Sequence, residues 1–122
     1  MQDLVGIVRV ESEMQQALDA IGQLHARAER AGIAGNREYN NGWHTSIDIG
    51  NMMIVSEAIA RAAVLRKESR GAQFREDFPN KDAEWGKYNI VISRGADGEM
   101  QVERRALTPM PDELKKVIEE MK

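Results

Sequence analysis

The chain has 122 residues, a formal net charge of −3 from 17 basic and 20 acidic side chains, and no cysteine. That length makes one domain, long enough to bury a core without staples. The missing cysteines exclude disulfides, iron–sulfur ligation and thiolate metal sites within the chain and suit a reducing cytoplasm, while the mildly acidic balance supplies no basic field to recruit nucleic acid.

No apolar run approaches the roughly 20 residues of a membrane span, so direct membrane insertion is not expected. The opening "MQDLVGIVRV" lacks the basic leader and long apolar block of a secretory signal. Aromatic residues make up only 5% against seven methionines, which favours packed helices over a sandwich. Within the opening, "DLVGIVR" reads as the tail of a helix, weakened at Gly6 by about 1 kcal/mol relative to alanine.

A helix follows, with Ser12 as its expected N-cap and Gln15 completing a capping box. Met14, Ala17, Leu18, Ile21, Leu24 and Ala28 recur at spacings of three and four and form one apolar stripe. Gly32 is the expected stop. "GIAGNREYNNGW" (32–43) is a glycine- and asparagine-rich loop, long for a plain helical hairpin.

The second helix is expected from about Ser46 to Arg70 and carries two stripes. One holds Ile49, Met52, Met53, Ile59, Ala60 and Ala63; the other holds Ile54, Val55, Ala58, Ala62 and Leu65. A helix apolar over so much of its circumference is buried on more than one side. Gly71 is the expected C-terminal stop, with Arg66, Lys67 and Arg70 in the last turn complementing the macrodipole.

After a polar stretch, Tyr88, Ile90 and Ile92 alternate, as do Met100 and Val102, around the turn "GADG" (95–98), so a β-hairpin is predicted. "TPMPDELKKVIEEMK" closes with a short amphipathic helix, Pro111 in its first turn and Thr108 or Asp112 as cap. The expected fold is mainly α: a small antiparallel helical bundle, three-helix and spectrin-repeat-like, with a peripheral β-hairpin and a short C-terminal helix. One domain spans 1–122, with the bundle over 3–71, loop and hairpin over 72–107, and terminal helix over 111–121.

No glycine pair is spaced G-x-G and no G-K-[ST] occurs, so the dinucleotide and phosphate cradles are absent. His25 fits a packed or half-buried histidine, and nothing near His44 completes a metal set. Glu76, Asp77 and Asp82 do not follow a calcium-loop spacing and read as solvated acids. The segment 65–79 stands out: both phenylalanines of the chain, Phe74 and Phe78, sit among Glu68, Arg70, Arg75 and Asp77, and Trp85 follows. Aromatics interleaved with arginines are enriched at protein interfaces, and arginines there can pair bidentately with carboxylates. These seven residues are the expected interface.

"RKESRGAQFREDFPNKDAEW" resembles the C-terminal helical domain of succinate dehydrogenase and fumarate reductase flavoprotein subunits. That family's pattern is approximately R-x-E-S-R-G-x-H-x-R-x-D-[FY]-P, then D and W. Arg66, Glu68, Ser69, Arg70, Gly71, Arg75, Asp77, Phe78, Pro79, Asp82 and Trp85 match; Gln73 stands where the family usually has histidine. "LVGIVR", "NMMIVSEAIARAAVLR" and "PMPDELKKVI" are also similar, so the likeness runs from about Asp3 to Ile118.

The resemblance implies a fragment of a larger enzyme that interconverts succinate and fumarate. It implies that FAD, the catalytic arginine and the dicarboxylate clamp lie in preceding parts, so no catalytic, cofactor-binding or metal residue is assigned here. It also implies an interdomain contact through Glu68, Arg70, Phe74, Arg75, Asp77, Phe78 and Trp85 onto the flavin domain of the same polypeptide. An iron–sulfur subunit and a membrane anchor would be the further partners, at the cytoplasmic side of the inner membrane, with electrons passing to or from quinone. An L-aspartate oxidase-type flavoprotein and a free-standing interaction module are the alternatives. The exposed stripe of the cut-out domain is expected to permit a homodimer.

Overall fold

The computed structural model describes residues 1–121. Its elements run β1 (Val8–Arg9), α1 (Glu11–Ala28), α2 (Asn41–Leu65), β2 (Phe74–Arg75), a 3-10 turn (Trp85–Lys87), β3 (Tyr88–Arg94), β4 (Met100–Ala106) and α3 (Asp112–Glu120). Helices α1 and α2 form an antiparallel hairpin. Two two-stranded sheets sit at the end where the chain enters α1 and leaves α2: β1 pairs parallel with β2, and β3 pairs antiparallel with β4.

The hairpin core is small. Met14, Ala17 and Ile21 of α1 meet Ala60 and Ala63 of α2, and Val5 closes the end. Alanines at 60 and 63 let the two backbones approach closely, which is why a stripe with so little side-chain volume still seals. Leu4, Leu18, Met53 and Val64 flank this cluster, partly buried.

Several element boundaries differ from the sequence-based expectations. "DLVGIVR" is not a helix tail: Val5 N–H donates to Met1 C=O at 2.8 Å in a tight turn, and Val8–Arg9 become a strand. A Cβ on Gly6 would sit 2.9 Å from the Gln2 carbonyl oxygen, so glycine is required by that turn. Ser12 lies inside α1 and does not cap it; the residue before the helix is Val10, which has no capping side chain. Helix α1 stops at Ala28, ahead of Gly32.

Helix α2 starts at Asn41, five residues earlier than expected, because Asn40 caps it and accepts from Gly42 N–H at 2.9 Å. It ends at Leu65, not Arg70: Arg66 turns extended with φ −80° and ψ 102°. Gly71 is not a helix stop but the left-handed residue (φ 60°) of the tight turn that bridges Arg70 and Gln73. Arg66, Lys67 and Arg70 therefore lie beyond the last helical turn.

The hairpin of sheet two is as expected. Ile92 faces Val102 and Ile90 faces Arg104, and the turn closes with Gly98 N–H donating to Gly95 C=O at 3.0 Å and Gly98 at φ 88°. The packed helices are two, however. Helix α3, introduced by extended Pro111 and without a side-chain cap from Thr108 or Asp112, has no buried residue among those described. The three-helix, spectrin-repeat-like bundle thus reduces to a helical hairpin with small sheets. Two prolines (109 and 111) hold the chain extended after β4 and carry α3 off before it can turn back.

Candidate functional site

The charged segment after α2 folds inward. Arg75, on β2, is fully buried and donates to Ala63 C=O at 3.0 Å, to Val64 C=O at 3.3 Å and to Arg66 C=O at 3.4 Å. These are carbonyls that a helix C-terminus leaves without partners, at the negative end of its dipole. The guanidinium also grips Asp77 through two bonds of 2.6 Å and reaches Glu11 at 3.1 Å. Asp77 in turn accepts the Glu11 backbone N–H at 3.1 Å, at the positive start of α1. The Arg75 bonds hold the Asp77 carboxyl below its usual range, against the pull of burial.

Parallel pairing of β1 with β2 brings these groups together. Phe74 N–H donates to Ile7 C=O and Glu76 N–H to Arg9 C=O, each at 3.0 Å. Arg9 lies close to Arg75, and burial followed by that like charge lowers its pKa. Gln73 links Arg9 to the exit of α2: its side-chain carbonyl accepts from Arg9 at 3.0 Å and its side-chain amide donates to Arg66 C=O at 3.1 Å. The amide at this position is thus spent within the chain. Ser69 completes the fold-back, accepting from Arg75 N–H at 2.8 Å and donating to Phe78 C=O at 2.9 Å.

Glu68 anchors a second knot. It is fully buried and accepts from Arg66, from Arg70 at 2.8 Å and from Asp82 N–H at 2.9 Å. The Arg70 hydrogen bond foremost, with Asp82 and Arg66 behind it, outweighs burial and pulls its pKa down to about 2. Trp85 is buried beside this knot, with two guanidiniums near its ring: Arg104 lies 4.9 Å and Arg66 5.4 Å from its centre. Arg104 belongs to β4, so this stack fastens the hairpin to the exit of α2.

The seven expected interface residues therefore divide. Glu68, Arg75 and Trp85 are sheltered by this chain alone, because a buried charge needs its partners close at hand. Asp77 has its carboxylate engaged internally, and Phe78 lies half-buried with Arg75 over its ring at 5.0 Å. Phe74, 41% exposed, and Arg70 remain at the surface. Sequence pattern alone did not point to Glu11, Arg9 or Arg104 as members of these knots: each lies far along the chain from the residue it meets. His25 is exposed, not half-buried, since α1 turns it outward past Ile21.

The second expected stripe of α2 is open only at Ile54 and Val55, with Ala58, Ala62 and Leu65 half-buried, while Met52 and Ile59 of the first expected stripe are exposed. Ile54 and Val55 are each 57% exposed, and Ile47, Met52 and Ile59 are exposed beside them. Ile47, Ile54 and Val55 lie away from Ala60 and Ala63, which face α1, whereas Met52 and Ile59 flank Ala63, so the open apolar surface wraps around α2. The chain exposes 9408 Å², whereas a folded monomer of its 13.7 kDa mass exposes about 6,600 Å². Elongation contributes to that surplus, and the aliphatic make-up of the outer face of α2 marks it as a surface built for contact.

Residues 1–118 match the family model described as fumarate reductase flavoprotein C-term. The chain belongs to this family. It is 32% identical over 115 residues to the succinate dehydrogenase flavoprotein subunit of Coxiella burnetii, covering 91% of this chain and 20% of that one. Among solved structures, Mycobacterium smegmatis Sdh1 in complex with UQ1 superposes with a TM-score of 0.85 at 39% identity, over 98% of this chain and 20% of its own. An Escherichia coli quinol fumarate reductase chain gives 0.80 at 30% identity, over 91% and 20%. The chain thus spans about a fifth of the length of the relatives it matches. These are succinate dehydrogenase and fumarate reductase flavoproteins, which favours that reading over an aspartate oxidase or a free-standing module.

Proposed function

We propose that this domain is the C-terminal part of the flavoprotein subunit of an FAD-dependent oxidoreductase that interconverts succinate and fumarate and exchanges electrons with quinone. The observation that carries this reading is the open aliphatic face of α2 around Ile54 and Val55. It takes up the preceding part of the same polypeptide, and Phe74 and Arg70 form its edge near the chain entry.

The helix N-termini of this domain support placing the flavin in the preceding part. A pyrophosphate binds at an unfilled helix N-terminus approached by glycine-rich backbone. Here the start of α1 is filled by the Asp77 carboxylate, that of α2 by the Asn40 side chain, and that of α3 is lined by Asp112 and Glu113. No buried side-chain polar atom lacks a partner among the described residues. These features support a reading in which the chemistry lies in the preceding part and this domain seats and braces it. An iron–sulfur subunit and a membrane anchor are the further partners of the assembled enzyme. No described helix is long and apolar enough to cross a membrane.

An antibody raised against this chain tests the reading on source cells. A band about five times longer than 122 residues, as the 20% coverage of the relatives implies, supports it. A single band at 13.7 kDa overturns it.

A further inference from the structure

The far tip of the helical hairpin carries a second surface that the docking of α2 leaves unexplained. Tyr39 is 102% exposed, with its ring entirely in solvent. It is also the one non-glycine residue at positive φ among those described, at 55°. A tyrosine in that region is strained, and such strain persists only where the surroundings enforce it.

They do so here through Asn40. Its amide donates to Ala34 C=O at 2.9 Å and to Asn36 C=O at 2.8 Å, while its carbonyl oxygen caps α2. Those three bonds tie the loop down on both sides and push Tyr39 outward. Beside it, the Arg37 guanidinium lies 4.6 Å from the centre of the Trp43 ring. A rigid tyrosine next to tryptophan and arginine is the make-up of an interface anchor.

Charge points to the chemistry of the partner. The chain carries a net −3, yet its tip presents Arg27, Arg30 and Arg37 against Glu29 and Glu38, and none of the three arginines is in an ion pair among the described residues. Connectivity points to its origin. The chain enters at β1, at the opposite end of α1, whose 18 residues put the tip about 27 Å away. In the reading proposed above, the upstream polypeptide is occupied along α2 and at the entry.

We infer that the tip built from Arg37, Tyr39 and Trp43 docks a carboxylate-bearing surface of a second protein chain in the assembly. The inference rests on the reading above, in which this domain is part of a multi-subunit flavoprotein.

A photoreactive phenylalanine analogue placed singly at Tyr39 or at Ile54 tests both, in the assembly isolated from source cells through a tag on this polypeptide. The expected result is that the position-39 probe cross-links a Glu- or Asp-rich peptide of another chain, while the position-54 probe cross-links residues upstream in the same polypeptide. Adducts at 39 that map only to the same polypeptide, or no adducts there while 54 reacts as expected, overturn the inference and leave the proposed function standing. Failure of the position-54 probe as well overturns both. Tyr39→Gly gives a second readout, because it relieves the strained backbone. The melting temperature should hold or rise while the affinity for the second chain drops at least tenfold; unchanged affinity overturns the inference.

Discussion

Arg75 and Asp77, two residues apart, cap opposite ends of two different helices: the guanidinium takes the last carbonyls of α2, and the carboxylate takes the first N–H of α1. Because the two side chains also pair with each other at 2.6 Å, each helix end is held through the other. The hairpin is thereby closed by charge where its core, made largely of Met14, Ala17, Ala60 and Ala63, has little volume.

Arg75→Met should therefore be strongly destabilising, by about 3–5 kcal/mol, since it strands Asp77 and several α2 carbonyls without their donor. Asp77→Ala should cost less, about 0.5–2 kcal/mol, the range for loss of a helix cap. Urea unfolding of the two variants measures the difference, and equal costs would refute the ranking.

The acid side of the stability profile follows from Glu68. Its folded pKa is depressed to about 2 from 4.5, so the unfolded chain binds its proton first as pH falls. The stabilisation is complete above about pH 5 and is lost progressively between about 4.5 and about 2, and Asp77, also depressed, adds to the same slope. Thermal melting followed from pH 7 to pH 2 should show a steep decline below 4.5. In Glu68→Gln that decline should be shallower, starting from a lower melting temperature at neutral pH.

The hairpin is fastened by Arg104, whose guanidinium lies 4.9 Å from the ring centre of Trp85, a ring that Arg66 also approaches. A double-mutant cycle of Arg104→Met with Trp85→Leu should give a favourable coupling of about 0.5–1 kcal/mol or somewhat more, as the ring is buried. Zero coupling would mean that the stack contributes only packing. The hairpin amides should also exchange faster in Arg104→Met, while those of α1 keep their protection.

Ile54→Asp and Val55→Asp should leave the fold of the isolated chain within about 0.5 kcal/mol of the parent, because both side chains already stand in solvent. The same changes should abolish self-association of the isolated chain through its aliphatic face, read by light scattering at high concentration. They should also prevent stable seating in the full-length polypeptide, read as increased proteolysis between the two parts.

The hydrophobic periodicity of the sequence determined the existence of both long helices, the hairpin with its Gly95–Gly98 turn, and the surplus of apolar circumference on α2. Spacing is a local property, and burial on one face or two imprints directly on it. The segment 65–79 was legible as unusual and as family-like, but its direction was not. Whether Glu68 and Arg75 face a neighbour or fold inward depends on Asp82, Glu11 and three helix carbonyls, none of which announces itself by spacing. Helix ends were misplaced for the same reason. Ser12 is a good local cap and Gly71 a good local stop, yet Asp77 and Arg75 arrive from 66 and 12 residues away and satisfy those ends instead. Local chemistry sets what a segment is able to form; which of two competent partners captures a helix terminus is settled by the packing that carries a distant group to it, at a closure cost that grows only slowly with loop length, and only the tertiary structure holds that information.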